Sequence, residues 1–328
     1  MPDHNDVAVL QLYSLKKNKN MKTNKFYLLL SVLFITATGI AAQNNENKTI
    51  IISGTKFTYP LIEKWIAEYA KVNPAVIIQL TSKSDGKVST DLNIIAHQPS
   101  PDELKENQDI LYAGRYGLLP VTNRNNPILS TTKKGLTKKD IDKLFFEVEN
   151  IDEDPDIEKP KFPATIYARD NKACASTALA NYFGHVTSEI RGKKVLGDDI
   201  YLISAIKKDT IGLTYNNLGY LYDTNTRKLK DGIVLLPLDL KKEAKSITTG
   251  DLDEVISILE NNKVETIPVE KIGFIYSQEN ARKEVSDFLK WVLTDGQKFN
   301  HPEGFLNLNK QELAEQTNRL TEKFLSLK

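Results

Sequence analysis

The chain has 328 residues, a formal net charge of +1, and an ordinary globular balance of 27% charged and 40% hydrophobic residues. Neither sign of charge dominates, so nothing in the totals points to nucleic acid, and the length suits about two domains or lobes. The one cysteine, Cys174, excludes an intramolecular disulfide.

Lys22 and Lys25 precede an apolar run from Phe26 to Ile35, followed by the small residues Ala37, Gly39, Ala41 and Ala42 and a polar run, Gln43 to Asn47. This is the pattern of a secretory signal peptide, with cleavage expected near Ala42. The run is shorter than the roughly 20 residues of a spanning helix, which argues against an uncleaved membrane anchor. The twenty residues before Met21 are unusual for a signal, and Met21 is the expected start. The mature chain then carries 39 basic and 41 acidic residues and is expected to be exported, periplasmic or otherwise, and soluble.

The mature chain opens on a strand, Thr49 to Ile52, β-branched and apolar as a buried parallel strand should be. Gly54 permits a turn, and Pro60 suits the first turn of a helix. Ile62, Trp65, Ile66 and Tyr69 then fall on one helical face, which Asn73-Pro74 ends. Such a strand–turn–helix aims free N–H groups and a helix dipole at one spot, where Thr55 adds a hydroxyl and Lys56 a charge. Most βα turns bind nothing, so this stretch alone is a candidate only.

Val76 to Leu80 and Leu92 to Ala96 read as further strands, separated by the polar turn Thr81 to Gly86. Pro101 to Leu104 reads as a helix start, and Tyr112 to Asn123 as a long extended run that could cross between lobes. Thr137 caps a short helix to Phe145. The acidic stretch 147–158 lacks the spacing of a calcium loop and reads as a solvated loop. A second strand–turn–helix follows: the strand Ala164 to Ala168, the turn Arg169 to Thr177, and the helix Ala178 to Phe183. Arg169 is suited to bidentate anion recognition or to a structural ion pair. Cys174 reads as a thiol acidified by a helix N-terminus or as a buried small residue; no identifiable base favours the second. A helix from Ile200, strands at Asp209 to Tyr215, Gly232 to Leu238 and Ile272 to Tyr276, and a helix from Ala281 to Val292 complete an alternating α/β pattern.

The segment Phe288 to Lys298, ending Gly296-Gln297-Lys298, with Gly304-Phe305-Leu306-Asn307-Leu308 after it, resembles the closing motif of periplasmic phosphate-binding proteins of ABC importers. Gly54 to Trp65 resembles that family's first ligand loop and helix, and Asp209 to Tyr215 one of its later segments. The resemblance covers about residues 50–309. It implies an α/β fold of type II periplasmic-binding-protein-like form: two lobes, a mainly parallel sheet in each, and a ligand cleft between them. The lobes would be 43–115 with 241–328, and 116–240, after the extension and signal at 1–42. Its ligand positions fall on Thr55, Lys56 and Phe57, on Ser84 and Asp85, and on Arg169, Asn171 and Cys174. Lys56 stands where a threonine is expected, and Ala173 and Ala175 replace two hydroxyl donors. His97 takes the place of an acceptor aspartate and could donate where that residue accepts.

The resemblance implies a solute-binding protein that captures phosphate or a related small anion for membrane importer subunits. It implies no catalysis, no cofactor and no metal, and favours a monomer that does not bind nucleic acid. The alternative is a binding fold without ligand that acts in an envelope assembly. An enzyme is disfavoured because no nucleophile–base set or metal-ligand spacing is recognisable among His97, His185, His301 and Cys174.

Overall fold

The structure is a computed structural model and describes residues 49–81, 89–100, 103–132, 134–146, 163–170, 172–277 and 282–325. The signal-like segment, the acidic stretch 147–158 and the candidates Ser84, Asp85 and Asn171 lie outside the described residues.

The described strands are β1 (Thr49–Gly54), β2 (Ile77–Leu80), β3 (Leu92–Ile95), β4 (Gln108–Asn123), β5 (Thr165–Arg169), β6 (Lys193–Val195), β7 (Gly212–Asn217), β8 (Ile233–Leu235) and β9 (Val269–Ser277). The helices are α1 (Tyr59–Val72), α2 (Ile128–Thr131), α3 (Lys138–Phe145), α4 (Cys174–Phe183), α5 (Ile200–Lys208), α6 (Leu218–Leu221), α7 (Leu252–Asn261), α8 (Lys283–Leu293) and α9 (Lys310–Leu325). The strands form one curled sheet in the order β2-β1-β3-β9-β4-β7-β5-β6, with β8 paired to β4.

Parallel pairing occupies the outer parts of each half, β2-β1-β3 on one side and β7-β5-β6 on the other. The middle is antiparallel: β9 pairs with β3 and β4, and β7 and β8 pair with β4. The run expected to be extended from Tyr112 is thus a 16-residue strand from Gln108. Its first ten residues, all but the bulged Ala113, pair with β9, and Leu118 to Asn123 pair with β7 and β8. A bulge adds a residue to one strand and bends it; β4 keeps β9 as its partner across this one, as far as Gly117, and changes partner at Leu118.

α1 forms as its apolar spacing requires. Pro60 sits in its first turn, and Leu61, Ile62, Trp65 and Tyr69 are buried. Trp65 is fully buried and its indole N–H donates to Gly296 O at 2.9 Å. Tyr69 meets Phe288 and Trp291 of α8 edge-on. The Gly296-Gln297 turn singled out in the sequence is therefore a docking point for α1: Gln297 also donates to Ala113 O of β4 at 2.9 Å.

Two expectations shift. α4 begins at Cys174, four positions before the expected Ala178, because the helix extends back through small residues to an extended Ala173. Glu103 and Leu104, expected at a helix start, are in a turn and a bend.

β1 ends at Gly54 with φ of +137°, and a Cβ there would lie 2.3 Å from Ile94 O of the neighbouring strand. Both conformation and space demand glycine. Gly54→Ala is expected to cost on the order of 2–4 kcal/mol, read as a lower urea midpoint at unchanged slope. A midpoint equal to that of the parent would show that β1 and β3 can separate without penalty.

Candidate functional site

The carboxyl ends of β1, β3 and β5 face one cleft of about 530 Å³. Such strand ends are where open α/β sheets hold ligands. The turn after β1 brings Thr55, Lys56 and Phe57 to the wall; the chain after β3 brings His97 and Glu103; the turn after β5 brings Arg169, Asp170, Lys172, Ala173 and Cys174; and the turn after β6 brings Gly197, Asp198 and Asp199. Of the nine residues singled out in the sequence, the cleft unites the six that are described.

They are not equivalent. Phe57 is 3% exposed and packs on Tyr116 with ring centroids 4.7 Å apart, so it is the floor of the cleft. The Thr55 hydroxyl lies 3.2 Å from Ile94 O and 3.0 Å from Cys174 Sγ.

Arg169 is fully engaged within the protein. It is 8% exposed; Nη1 donates to Val195 O and Nη2 to Gly197 O, each at 2.5 Å, and Nε lies 2.8 Å from Asp199 Oδ1. Its fork thus clamps the turn after β6 to the end of β5. Burial pushes the Asp199 carboxyl up to about 6, against the pull of the Arg169 charge. Of the two roles open to Arg169 from the sequence, the geometry supports the structural ion pair.

The acidic wall is likewise engaged. Asp198 accepts from Ile200 N at 3.1 Å, and Asp170 from Lys172 N at 3.0 Å. Glu103 accepts from Ser100 N at 2.9 Å and lies 3.1 Å from His97 Nε2. That leaves Lys56, from the half containing β1, and Lys172, from the half containing β5. Both are exposed, and among the described residues neither ammonium has a hydrogen-bond or ion-pair partner. α4 adds its N-terminus to the same wall, with Ala173 offering no side-chain cap.

His97 lines the same cleft as Cys174. Burial opposes its charged form, but hydrogen bonds and charge from Cys174 and Glu103 outweigh it, and the imidazole pKa is raised. Burial also opposes ionisation of the thiol; the hydrogen bond and charge of His97, with Thr55 and the Ala96 backbone, overcome it, and the Cys174 pKa is lowered. Glu103, Lys172, Asp198 and Asp199 complete the wall. The Gly197-Asp198-Asp199 turn carried a sequence signal for a bend, but nothing in it indicated the arginine it would meet.

Arg169→Ala leaves Asp199 buried without its partner and is expected to destabilise by about 3–5 kcal/mol. Arg169→Met with Asp199→Leu should recover most of that loss, as paired apolar replacements of buried ion pairs do. Urea unfolding of the single and double variants reads the difference; a single variant as stable as the parent would make Arg169 a free ligand group.

Neither a protein-family model nor a curated protein sequence matches the chain. Solved structures do. A phosphate ABC transporter substrate-binding protein with bound phosphate, so titled provisionally, from Clostridium perfringens superposes with a TM-score of 0.58 at 14% identity, covering 80% of this chain and 100% of that one. An ABC-type phosphate transport receptor from Vibrio cholerae gives 0.56 at 11% identity, covering 79% and 100%. At this identity the likeness is one of fold, and the chain has the two-lobed α/β fold of type II periplasmic-binding-protein-like structures.

Proposed function

We propose that the chain is an exported solute-binding protein that captures a small anion, phosphate or a related oxyanion, and delivers it to a membrane importer. The observation that carries the reading is the pair of lysines. Lys56 and Lys172 come from opposite halves of the sheet, line one cleft, and are without side-chain partners among the described residues. An anion between them would join the halves, which is how hinge closure over a ligand is stabilised. The N-terminus of α4 favours the same charge. Asp170 and Asp198 in the wall favour an anion that brings hydrogen-bond donors of its own, such as a protonated oxyanion. Export rests on the signal-like N-terminus. Among the described residues no helix is long and apolar enough to cross a membrane. The likeness in fold to phosphate-binding proteins supports the ligand class by analogy only.

Isothermal titration calorimetry with phosphate, sulfate, molybdate and small organic anions tests the reading at acidic and neutral pH. Tryptophan emission is a poor probe, since neither Trp65, fully buried on the inner face of α1, nor Trp291 of α8 lines the cleft. Saturable binding of one anion is expected, weakened about tenfold, or about 1.4 kcal/mol, by Lys56→Ala and by Lys172→Ala. Binding unaffected by both substitutions would refute the lysine site. No heat with any anion would turn the reading to a ligand-free binding fold in an envelope assembly.

A further inference from the structure

His185 lies outside the cleft, two residues past the end of α4, and both of its ring nitrogens face carboxylates. Nε2 is 2.7 Å from Asp142 Oδ1 of α3, and Nδ1 is 2.9 Å from Glu189 Oε2. The ring stacks on Phe146, at the end of α3, with centroids 4.2 Å apart and planes 10° from parallel. Phe146 is fully buried, and the His185 side chain is 16% exposed. Neither other histidine among the described residues is placed this way. His97 Nδ1 has no hydrogen-bond partner, and His301 meets a carboxylate, Glu260, through Nε2 alone.

This geometry selects a charge state. A carboxylate only accepts hydrogen bonds, and a neutral imidazole has one N–H and one bare nitrogen. Whichever nitrogen holds the proton, the other turns a lone pair toward a carboxylate oxygen. Only the imidazolium, with two N–H donors, satisfies both contacts, and each is then a charge-assisted bond. The face of Phe146 favours the charged ring as well. The backbone fixes the ring in place: Gly184 closes α4 in the left-handed conformation, with φ of +85°, and His185 N donates to Ala180 O at 2.9 Å. Glu189 is fixed in turn, since Oε2 also accepts from Val186 N at 3.1 Å. One ring thus joins α3, the end of α4 and the turn Thr187–Glu189.

We propose that His185 is a proton-operated latch: as the imidazolium it clamps the end of α4 and the turn Thr187–Glu189 to α3, and loss of its proton frees one of the two carboxylates. Other contacts hold the same elements, namely the bridge between Phe146 and Ile190 and the bond from Arg191 N to Phe145 O at 2.8 Å. Deprotonation therefore loosens the joint without unfolding it. Among the described residues the charges acting on the ring are Asp142 and Glu189; Lys138 of α3 is turned to the Tyr182 and Phe183 rings, and the Arg191 side chain to Phe146 O. Burial opposes the imidazolium, but the hydrogen bonds and charges of Asp142 and Glu189 outweigh it, and the His185 pKa is raised. A raised folded-state pKa contributes stability that is complete below the unfolded value of about 6.5 and is lost as pH rises through the folded value. The Val186 N–H and His185 hold the Glu189 carboxyl below its ordinary range, so its side of the latch persists into acid. The latch is closed at mildly acidic pH and loosens as the medium becomes alkaline. α4 begins at Cys174 on the cleft wall, so the latch holds the far end of a helix that borders the cleft.

The test is an NMR titration of the histidine rings in the full chain, with His185→Gln assigning the signal. The His185 midpoint should lie above the ordinary value of about 6.5, and Asp142→Asn should lower it. Urea unfolding at pH 6 and pH 9 is the second readout: the parent should lose more stability across that interval than His185→Gln. Amide exchange over 138–146 and 174–191, corrected for its intrinsic pH dependence, should speed up several-fold more in the parent than in the variant. Each comparison is of a change with pH, so it holds even where His185→Gln is less stable at every pH. A midpoint at or below 6.5, or the same pH dependence in parent and variant, would overturn the proposal. None of these readouts involves an anion, so the latch stands or falls separately from the lysine site.

Discussion

One strand has to satisfy hydrogen-bond partners in both halves of the sheet. β4 does so by pairing with β9 along Gln108 to Gly117 and with β7 and β8 along Leu118 to Asn123. Unpaired backbone in a buried strand is expensive, so the path of β4 fixes where each half can lie. The parallel strands β1, β3 and β5 are then forced to end at a common place. The cleft follows from that constraint and not from any residue in its wall.

Local physics explains which parts of this were legible in the sequence. The turn at Gly54, the first-turn Pro60 and the apolar spacing through Trp65 all describe short-range requirements, and β1 and α1 follow them closely. The long extended character of β4 was also legible, since Leu118 to Val121 offer no helical spacing. α7 was not assigned, although Leu252, Val255, Ile256 and Leu259 carry a helical pattern and are buried. α9 is polar along most of its length and gives little apolar signal. The convergence of Thr55, Lys56, His97, Arg169 and Cys174 was accessible only through a resemblance, because a single sequence contains no information on which strand ends meet.

The division of labour in the wall was hidden for a different reason. Arginine is chemically suited both to an anion and to a buried carboxylate, and only the position of Asp199 decides between them. The same holds for His97. Read alone it is a donor facing a ligand; in place it is buried, with Nε2 3.1 Å from Glu103 Oε1. Charges that look alike along the chain therefore separate into a neutralised framework, Arg169 with Asp199, and a responsive surface, Lys56 with Lys172.

The bulge in β4 has a further implication. It takes Tyr112 N out of the regular ladder, and the amide is satisfied instead by Gln316 Oε1 of α9 at 3.0 Å. Arg319 and Lys323 of the same helix hold Asp109 of β4 at 2.9 and 2.7 Å. α9, which follows every strand of the sheet in chain order, is thus a cover for a defect in the strand that links the halves. Until it docks, an emerging chain carries an open backbone donor beside an uncompensated carboxylate, and the joint between the lobes cannot become rigid before translation has passed residue 323.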